Sequence, residues 1–192
     1  MTLTRDDLYS LEEYADKRVD FRSRVAEHKR TRRVPVGAHV TIHFEDRLTM
    51  QYQIQEMLRA ERIFEADGIQ EELDAYNALI PTGCNWKATM MVEYENVEER
   101  REALARLSGI ENVVWIWIGE RYKARAIADE DLERQTASKT SAVHFLRFEL
   151  TPEMITAAKA GAEITVGIEH RDYGYENDLS PEICASLVRD LH

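Results

Sequence analysis

The sequence has few of the features that mark secreted or membrane proteins. Only two cysteines, Cys84 and Cys184, occur in 192 residues, so no disulfide framework is indicated and a reducing cytoplasm is favoured. The opening residues, MTLTRDDLYS, lack the positive end and apolar stretch of a secretory signal. The longest uncharged run contains Pro81 and Gly83 and falls well short of the roughly 20 apolar residues of a membrane helix. We therefore expect a cytoplasmic protein with no membrane span.

The strong sequence signatures of catalysis and metal binding are also missing. The chain has no HExxH, CxxC, GxGxxG or GxSxG motif and no phosphate-binding GxxxxGK motif. Neither cysteine lies in a recognisable nucleophile motif. Nucleotide-dependent or hydrolytic chemistry therefore has no basis in the sequence, and no catalytic residue can be assigned.

The charge of this acidic chain is unevenly distributed. Asp and Glu number 36 against 25 Lys and Arg, which gives a net charge of −11. Residues 22–33, RSRVAEHKRTRR, contain six basic residues and one acidic residue. Basic residues near the C-terminus of a helix interact favourably with its dipole, which accounts for this segment. Because the acidic remainder would repel phosphate, the sequence argues against a nucleic acid partner.

Capping signals predict five or six helices. Ser10 and Glu13 form a capping box, which predicts a helix over about 10–31. A helical pair is predicted over about 46–80, between the first and second strands. Shorter helices are predicted to start at Asn96, Thr151 and Ser180.

Alternating apolar residues predict about six strands. The predicted strands cover residues 34–45, 86–94, 113–118, 121–128, 142–150 and 163–170. Strands and helices do not alternate as βαβ units, and no linker divides the chain. We therefore predict a single α+β domain over residues 1–192, with a largely antiparallel sheet.

The strands at 113–118 and 121–128 predict a hairpin with a two-residue turn, Gly119-Glu120. This register would place apolar and cationic side chains on one face, namely Ile116, Ile118, Arg121, Lys123 and Arg125. Such a face suits a helix of the same chain, a second copy in a homodimer, or a redox partner protein.

Two arginines fall within the apolar stripe of the first helix. Arg18 and Arg22 lie among its apolar residues, and Glu61 has the same position on the second helix. Because a buried charge needs a partner, the simpler interpretation is an Arg–Glu pair between the helices. The alternative is that the arginines grip an anionic ligand.

Four residues are candidates for a metal site. His43 and Glu45 share the polar face of the first predicted strand, about 6.7 Å apart along it. His144 and His170 lie on apolar strand faces, and an antiparallel pairing of their strands would bring the two imidazoles together. The simpler interpretations are a solvated strand face and histidines that are hydrogen-bonded in the core.

Three segments resemble a bacterial family of unknown function: FEDRLTMQYQIQEMLRAERI, IQEELDAYNALIPTG and IADEDLERQTASKTSAVHFLRFEL. The resemblance extends over almost the whole chain. It implies that the gene lies beside genes for a rubrerythrin-like protein and an iron–sulfur, heterodisulfide-reductase-like protein. It implies no catalytic residue.

Three hypotheses follow from these observations. The leading one is a cytoplasmic, non-catalytic accessory protein without a cofactor, which docks onto an iron–sulfur or di-iron redox or peroxide-handling partner. The alternative is a redox enzyme that binds a transition metal with His43, Glu45 and His144. The third is a small-anion-binding module centred on Arg18 and Arg22.

Overall fold

Six α-helices and eight β-strands are found in residues 2–130 and 139–192, which a computed structural model describes. The helices are α1 (Leu11–Arg30), α2 (Arg47–Glu61), α3 (Ala66–Asn77), α4 (Val97–Arg106), α5 (Pro152–Lys159) and α6 (Pro181–Val188). The strands are β1 (Arg33–Val36), β2 (Val40–Glu45), β3 (Asn85–Val92), β4 (Val114–Ile118), β5 (Tyr122–Ala128), β6 (Val143–Glu149), β7 (Ile164–His170) and β8 (Tyr173–Asp178). Short 3-10 turns lie at Arg5–Asp7 and Ile110–Val113.

All eight strands form one antiparallel sheet that is nearly closed into a barrel. The strand order is β1-β2-β3-β6-β5-β4-β7-β8. Side chains bridge the two edge strands: Tyr173 Oη donates to the carbonyl of Val36 at 2.7 Å, and Asn177 Nδ2 donates to that of Pro35 at 2.7 Å. These bonds occupy carbonyl groups that an edge strand would otherwise leave open. The antiparallel α+β architecture predicted from the sequence is thus confirmed.

The prediction of about six strands is wrong, since the described sheet has eight. The predicted first strand is a hairpin, because residues 37–39 turn the chain between β1 and β2. Gly37 has a φ of +72°, in the left-handed region that glycine enters most easily. The last strand, β8, has the sequence YGYEND, which shows no regular alternation of apolar and polar residues.

Large apolar side chains from the inward face of the strands fill the barrel. Trp86, Phe44 and Phe148 are among its fully buried residues. Leu187 of α6 belongs to the same core, and its carbonyl accepts a hydrogen bond from Trp86 Nε1 at 2.9 Å. The interior of the barrel is therefore a packed core.

Helices α1, α2 and α3 form a layer with apolar cores of its own. The α1–α2 contact is built on Tyr14, Phe21 and Val25, and the α2–α3 contact on Ile54 and Leu73. The predicted capping box of Ser10 and Glu13 is present at the start of α1. Both α2 and α3 lie between β2 and β3 in the chain, so they return it to the sheet beside the strand it left.

The predicted face of the β4–β5 hairpin is wrong, because the turn is one residue longer than expected. Strand β4 ends at Ile118 and β5 begins at Tyr122, which pairs with it. A shift of one residue moves every side chain to the other face of a strand. Ile116 therefore pairs with Ala124 in the core, while Lys123 lies opposite Trp117 on the outer face.

None of the helices in the described ranges combines the length and the apolar character that crossing a membrane requires.

Candidate functional site

A groove lies between the helical layer and the outer face of the sheet. It consists of two cavities, of about 590 Å³ and about 320 Å³. Both are lined by Tyr76, Leu79 and Phe145, so they adjoin. We call this space the outer groove.

Helix α2 has two buried sides, one packed against α3 and one that forms a mostly apolar wall of the outer groove. Ile54 and Leu58 pack in the α2–α3 core. Met50, Gln53 and Met57 follow one another by three and four positions, so they share a neighbouring stripe of the helix, and all three line the groove.

One end of the outer groove is polar and carries a buried carboxylate. Glu45 is 7% exposed, and its Oε1 accepts a hydrogen bond from Thr89 Oγ1 at 2.7 Å. Its Oε2 accepts no hydrogen bond, and no cationic group lies within ion-pair distance, among the residues that the structure describes. His43 lies beside it on the same face of β2, opposite Thr89. Burial lowers the pKa of His43, and the nearby Glu45 carboxylate opposes this shift in part.

Three of the charged groups at the other end of the groove, Arg147, Glu130 and Lys87, have partners. Arg147 makes two hydrogen bonds of 2.8 Å to Glu130 and one to Glu149. The ammonium group of Lys87 donates to the carbonyl of Ala78, and burial lowers the pKa of this lysine. Glu72 also lines this end, and burial raises its pKa.

The structure does not bring the four predicted metal ligands together. His43 and Glu45 point to the outer groove, whereas His144 is fully buried on the opposite, inward face of the sheet. His170 ends β7, and its Nε2 lies 3.2 Å from the carbonyl of Ser108. Across residues 2–130 and 139–192, no three His, Cys, Asp or Glu side chains are placed to hold one metal ion.

The expected pairing of His144 with His170 is wrong for a topological reason. The strands of the two residues are separated in the sheet by the β4–β5 hairpin, since the local order is β6-β5-β4-β7. Met90 lies opposite His144 instead.

His144 belongs to a buried hydrogen-bonded cluster inside the barrel. Its Nδ1 lies 2.5 Å from Asp129 Oδ2, and its Nε2 lies 2.8 Å from Thr140 Oγ1 and 3.7 Å from Glu111 Oε2. Thr140 also donates to Glu111 at 3.0 Å. Asp129 and Glu111 could not be recognised from the sequence as partners of His144, because neither lies in a known motif. Since every group has a partner, the cluster has the character of a satisfied core site.

The predicted arginine pair is only partly present. Arg18 makes a bidentate ion pair with Glu56 of α2, at 2.7 and 2.8 Å, and Tyr14 donates to the same carboxylate. The Arg18 hydrogen bonds lower the pKa of Glu56 to about 2. Arg22 and Glu61 are exposed. The prediction of Glu61 as the partner is wrong. Glu61 is the last residue of α2, so the apolar stripe that was predicted to surround it on this helix ends there.

Lys123 and Arg125 lie on the outer face of the hairpin, together with two tryptophans. The Lys123 ammonium is 4.7 Å from the ring centre of Trp115 and 5.6 Å from that of Trp117. It also lies 2.5 Å from Glu169, which Arg125 approaches at 3.6 Å. Arg121 lies in the turn and stacks near Tyr122.

A buried ion network near the C-terminus has no counterpart in the predictions. Arg32 is 2% exposed and pairs with Asp190, which follows α6, and with Asp46 at 3.5 Å. Asp46 Oδ2 lies 2.5 Å from His28 Nε2. These contacts link the end of α1, the start of α2 and the end of the chain. Arg32 is one of six basic residues in the segment 22–33, and its position in the sequence did not indicate that it would be buried.

The fold and the groove define a class of protein: a nearly closed, eight-stranded antiparallel barrel with helices outside it and a cavity between the two. Over residues 2–191 the chain matches the model of a family described as "Protein of unknown function (DUF3501)", and it belongs to this family. It is similar to a novel protein of unknown function from Burkholderia pseudomallei, whose crystal structure has a TM-score of 0.95 and 52% identity over 100% of both chains. No curated protein matches. The resemblance seen in the sequence is confirmed, and the neighbouring redox genes that it implies stay a prediction.

Proposed function

We propose that this protein binds a small, mostly apolar molecule in the outer groove. The observation that carries the proposal is the groove itself, two adjoining cavities of about 590 and 320 Å³ with mostly apolar walls and polar groups at both ends. Binding sites for small molecules in proteins are typically concave, mostly apolar and about 300–1,000 Å³ in volume, with a few polar groups that fix the orientation of the ligand.

The position of the groove supports this proposal. Its floor is the barrel sheet, which is held by a packed core, and its other wall is formed by α2 and α3. A site supported by regular elements on both sides is preorganised, because few groups must be ordered when a ligand binds.

Calorimetry with a simple probe tests the proposal. We expect 1-octanol to bind the wild type and to lose at least about tenfold in affinity for Ala75→Trp, because an indole at this position of α3 would occupy the groove. Ala75 is exposed, so the larger side chain does not disturb a core. The matched control is Ala105→Trp on α4, also exposed, which should bind as the wild type does. Equal binding by all three proteins would refute the proposal.

A second candidate function is docking onto an iron–sulfur or di-iron redox partner, as an accessory protein. It is favoured by the outer face of the β4–β5 hairpin, where Trp117, Lys123 and Arg125 lie together. Aromatic residues and arginine are enriched at protein interfaces. Against it, Glu169 already neutralises part of the charge.

Pull-down with purified proteins tests this second candidate. The double variant Lys123→Glu/Arg125→Glu should recover less of a purified di-iron or iron–sulfur partner than the wild type does. Arg22→Glu on α1 is the control for a change of charge at an exposed site. Equal recovery of the partner by all three proteins would rule out this face as the docking site.

A further inference from the structure

We propose that the ligand of the outer groove carries a protonated amine, which is received by the carboxylate of Glu45. This inference rests on the proposed binding function and adds the chemical class of the ligand. It starts from a carboxylate that is 7% exposed, has one hydroxyl donor and meets no cation among the described residues. A buried carboxylate with so few partners is costly, and a cationic group would remove most of that cost.

None of the four cationic residues near Glu45 forms an ion pair with it. Arg33 is exposed and lies opposite His43 in the β1–β2 register, and the other three are directed elsewhere. Lys87 lies directly opposite Glu45 in the β2–β3 register, yet its ammonium donates to the carbonyl of Ala78. Arg32 donates to the backbone carbonyl of Glu45 at 3.0 Å and pairs its charge with Asp190. Lys29 lines the same cavity, but its ammonium lies 5.7 Å from the ring centre of Tyr52.

The remaining neighbour, His43, does not supply the missing charge. Burial lowers its pKa, so the imidazole is neutral near pH 7 and serves as a hydrogen-bonding group. The carboxylate of Glu45 therefore faces the groove with a neutral imidazole and the hydroxyl of Thr89 beside it.

The rest of the groove suits the apolar part of an amine. Tyr76 and Phe145 line both cavities, and aromatic faces attract both hydrocarbon and cationic groups. A ligand with a carboxylate head would instead meet the like charge of Glu45 in a poorly solvated site, which disfavours it. The site thus discriminates by charge, with amines favoured over alcohols and alcohols over acids.

Three probes of equal chain length test this order: octylamine, 1-octanol and octanoate. In calorimetric titrations of the wild type at pH 7, we expect octylamine to bind about tenfold more tightly than 1-octanol, and octanoate to bind least. Because this comparison uses one protein, it does not depend on whether a variant folds. Equal affinity for octylamine and 1-octanol would overturn the inference and leave the proposed binding function in place.

A variant then assigns the selectivity to Glu45. Glu45→Gln keeps the shape of the side chain and removes the charge, so octylamine should lose its advantage while 1-octanol binds as before. The melting temperature of the variant shows whether it folds, and Glu93→Gln, another hydrogen-bonded glutamate on the same side of the sheet, is the control. Selectivity that survives in Glu45→Gln would overturn the assignment. Failure of all three probes to bind the wild type would overturn both proposals.

Discussion

On each face of the sheet a histidine lies near a buried glutamate, and the two sites differ in how their polar groups are satisfied. Inside the barrel, His144 has partners at both ring nitrogens, and Glu111 accepts hydrogen bonds at both of its carboxylate oxygens. Outside, Glu45 has one hydroxyl donor and His43 faces the groove. The same residue types thus hold the fold together in one place and leave hydrogen-bonding capacity for a ligand in the other.

The largest expected effect is that of His144→Ala on stability. The change removes the imidazole between two buried carboxylates, Asp129 and Glu111, so we expect a loss of about 3–5 kcal/mol in the free energy of unfolding. The corresponding change outside, His43→Ala, should cost about 1 kcal/mol or less. Urea denaturation of both variants measures the difference. Similar losses would mean that the two histidines do not differ in role.

An intermediate effect is expected when the two glutamates are made neutral. Glu111→Gln weakens the bonds to Thr140 and Asn112 and should lower the free energy of unfolding by about 1–3 kcal/mol. Glu45→Gln should leave it within about 0.5 kcal/mol or raise it, because the folded protein no longer holds a poorly compensated charge. The midpoints of chemical denaturation give both values. The comparison fails if Glu45→Gln is the more destabilising change.

The smallest effect is a dependence of stability on pH that comes from His43. Its pKa in the folded protein is below the ordinary value of 6.5, so the unfolded chain binds a proton at a higher pH than the folded chain does. Stability therefore falls as the pH drops through 6.5 towards the lower folded pKa. Between pH 7 and pH 5 the wild type should lose more stability than His43→Gln. Identical slopes for the two proteins would show that burial does not affect this titration.

Local features of the fold could be predicted from the sequence, because they depend on neighbouring residues. The start of α1 at its capping box and the presence of a hairpin near Gly119 are of this kind. The register of that hairpin could not be predicted, because Gly119 fits both a turn of two residues and a turn of three. One residue in the turn decided whether Ile116 and Lys123 share a face, as predicted, or lie on opposite faces, as observed.

The candidate site depended on contacts between distant parts of the chain. Alternation correctly grouped His43 and Glu45 on one face of a strand, and that face was expected to be solvated. It is instead partly buried against Met50 and Tyr76, from helices that alternation within a strand cannot place. For His144, the pattern indicated a buried position, but its partners Asp129 and Glu111 come from segments with no recognisable signal.

Methyl NMR of methionine residues measures most directly whether the outer groove binds ligands. Met50, Met57 and Met91 line the groove, whereas Met90 is in the barrel core and Met154 is in α5. Titration of protein labelled with ¹³C at the methionine methyl groups should shift the first three signals with octylamine and leave the other two in place. Shifts of Met90 and Met154 alone, or of no signal at all, would contradict the account.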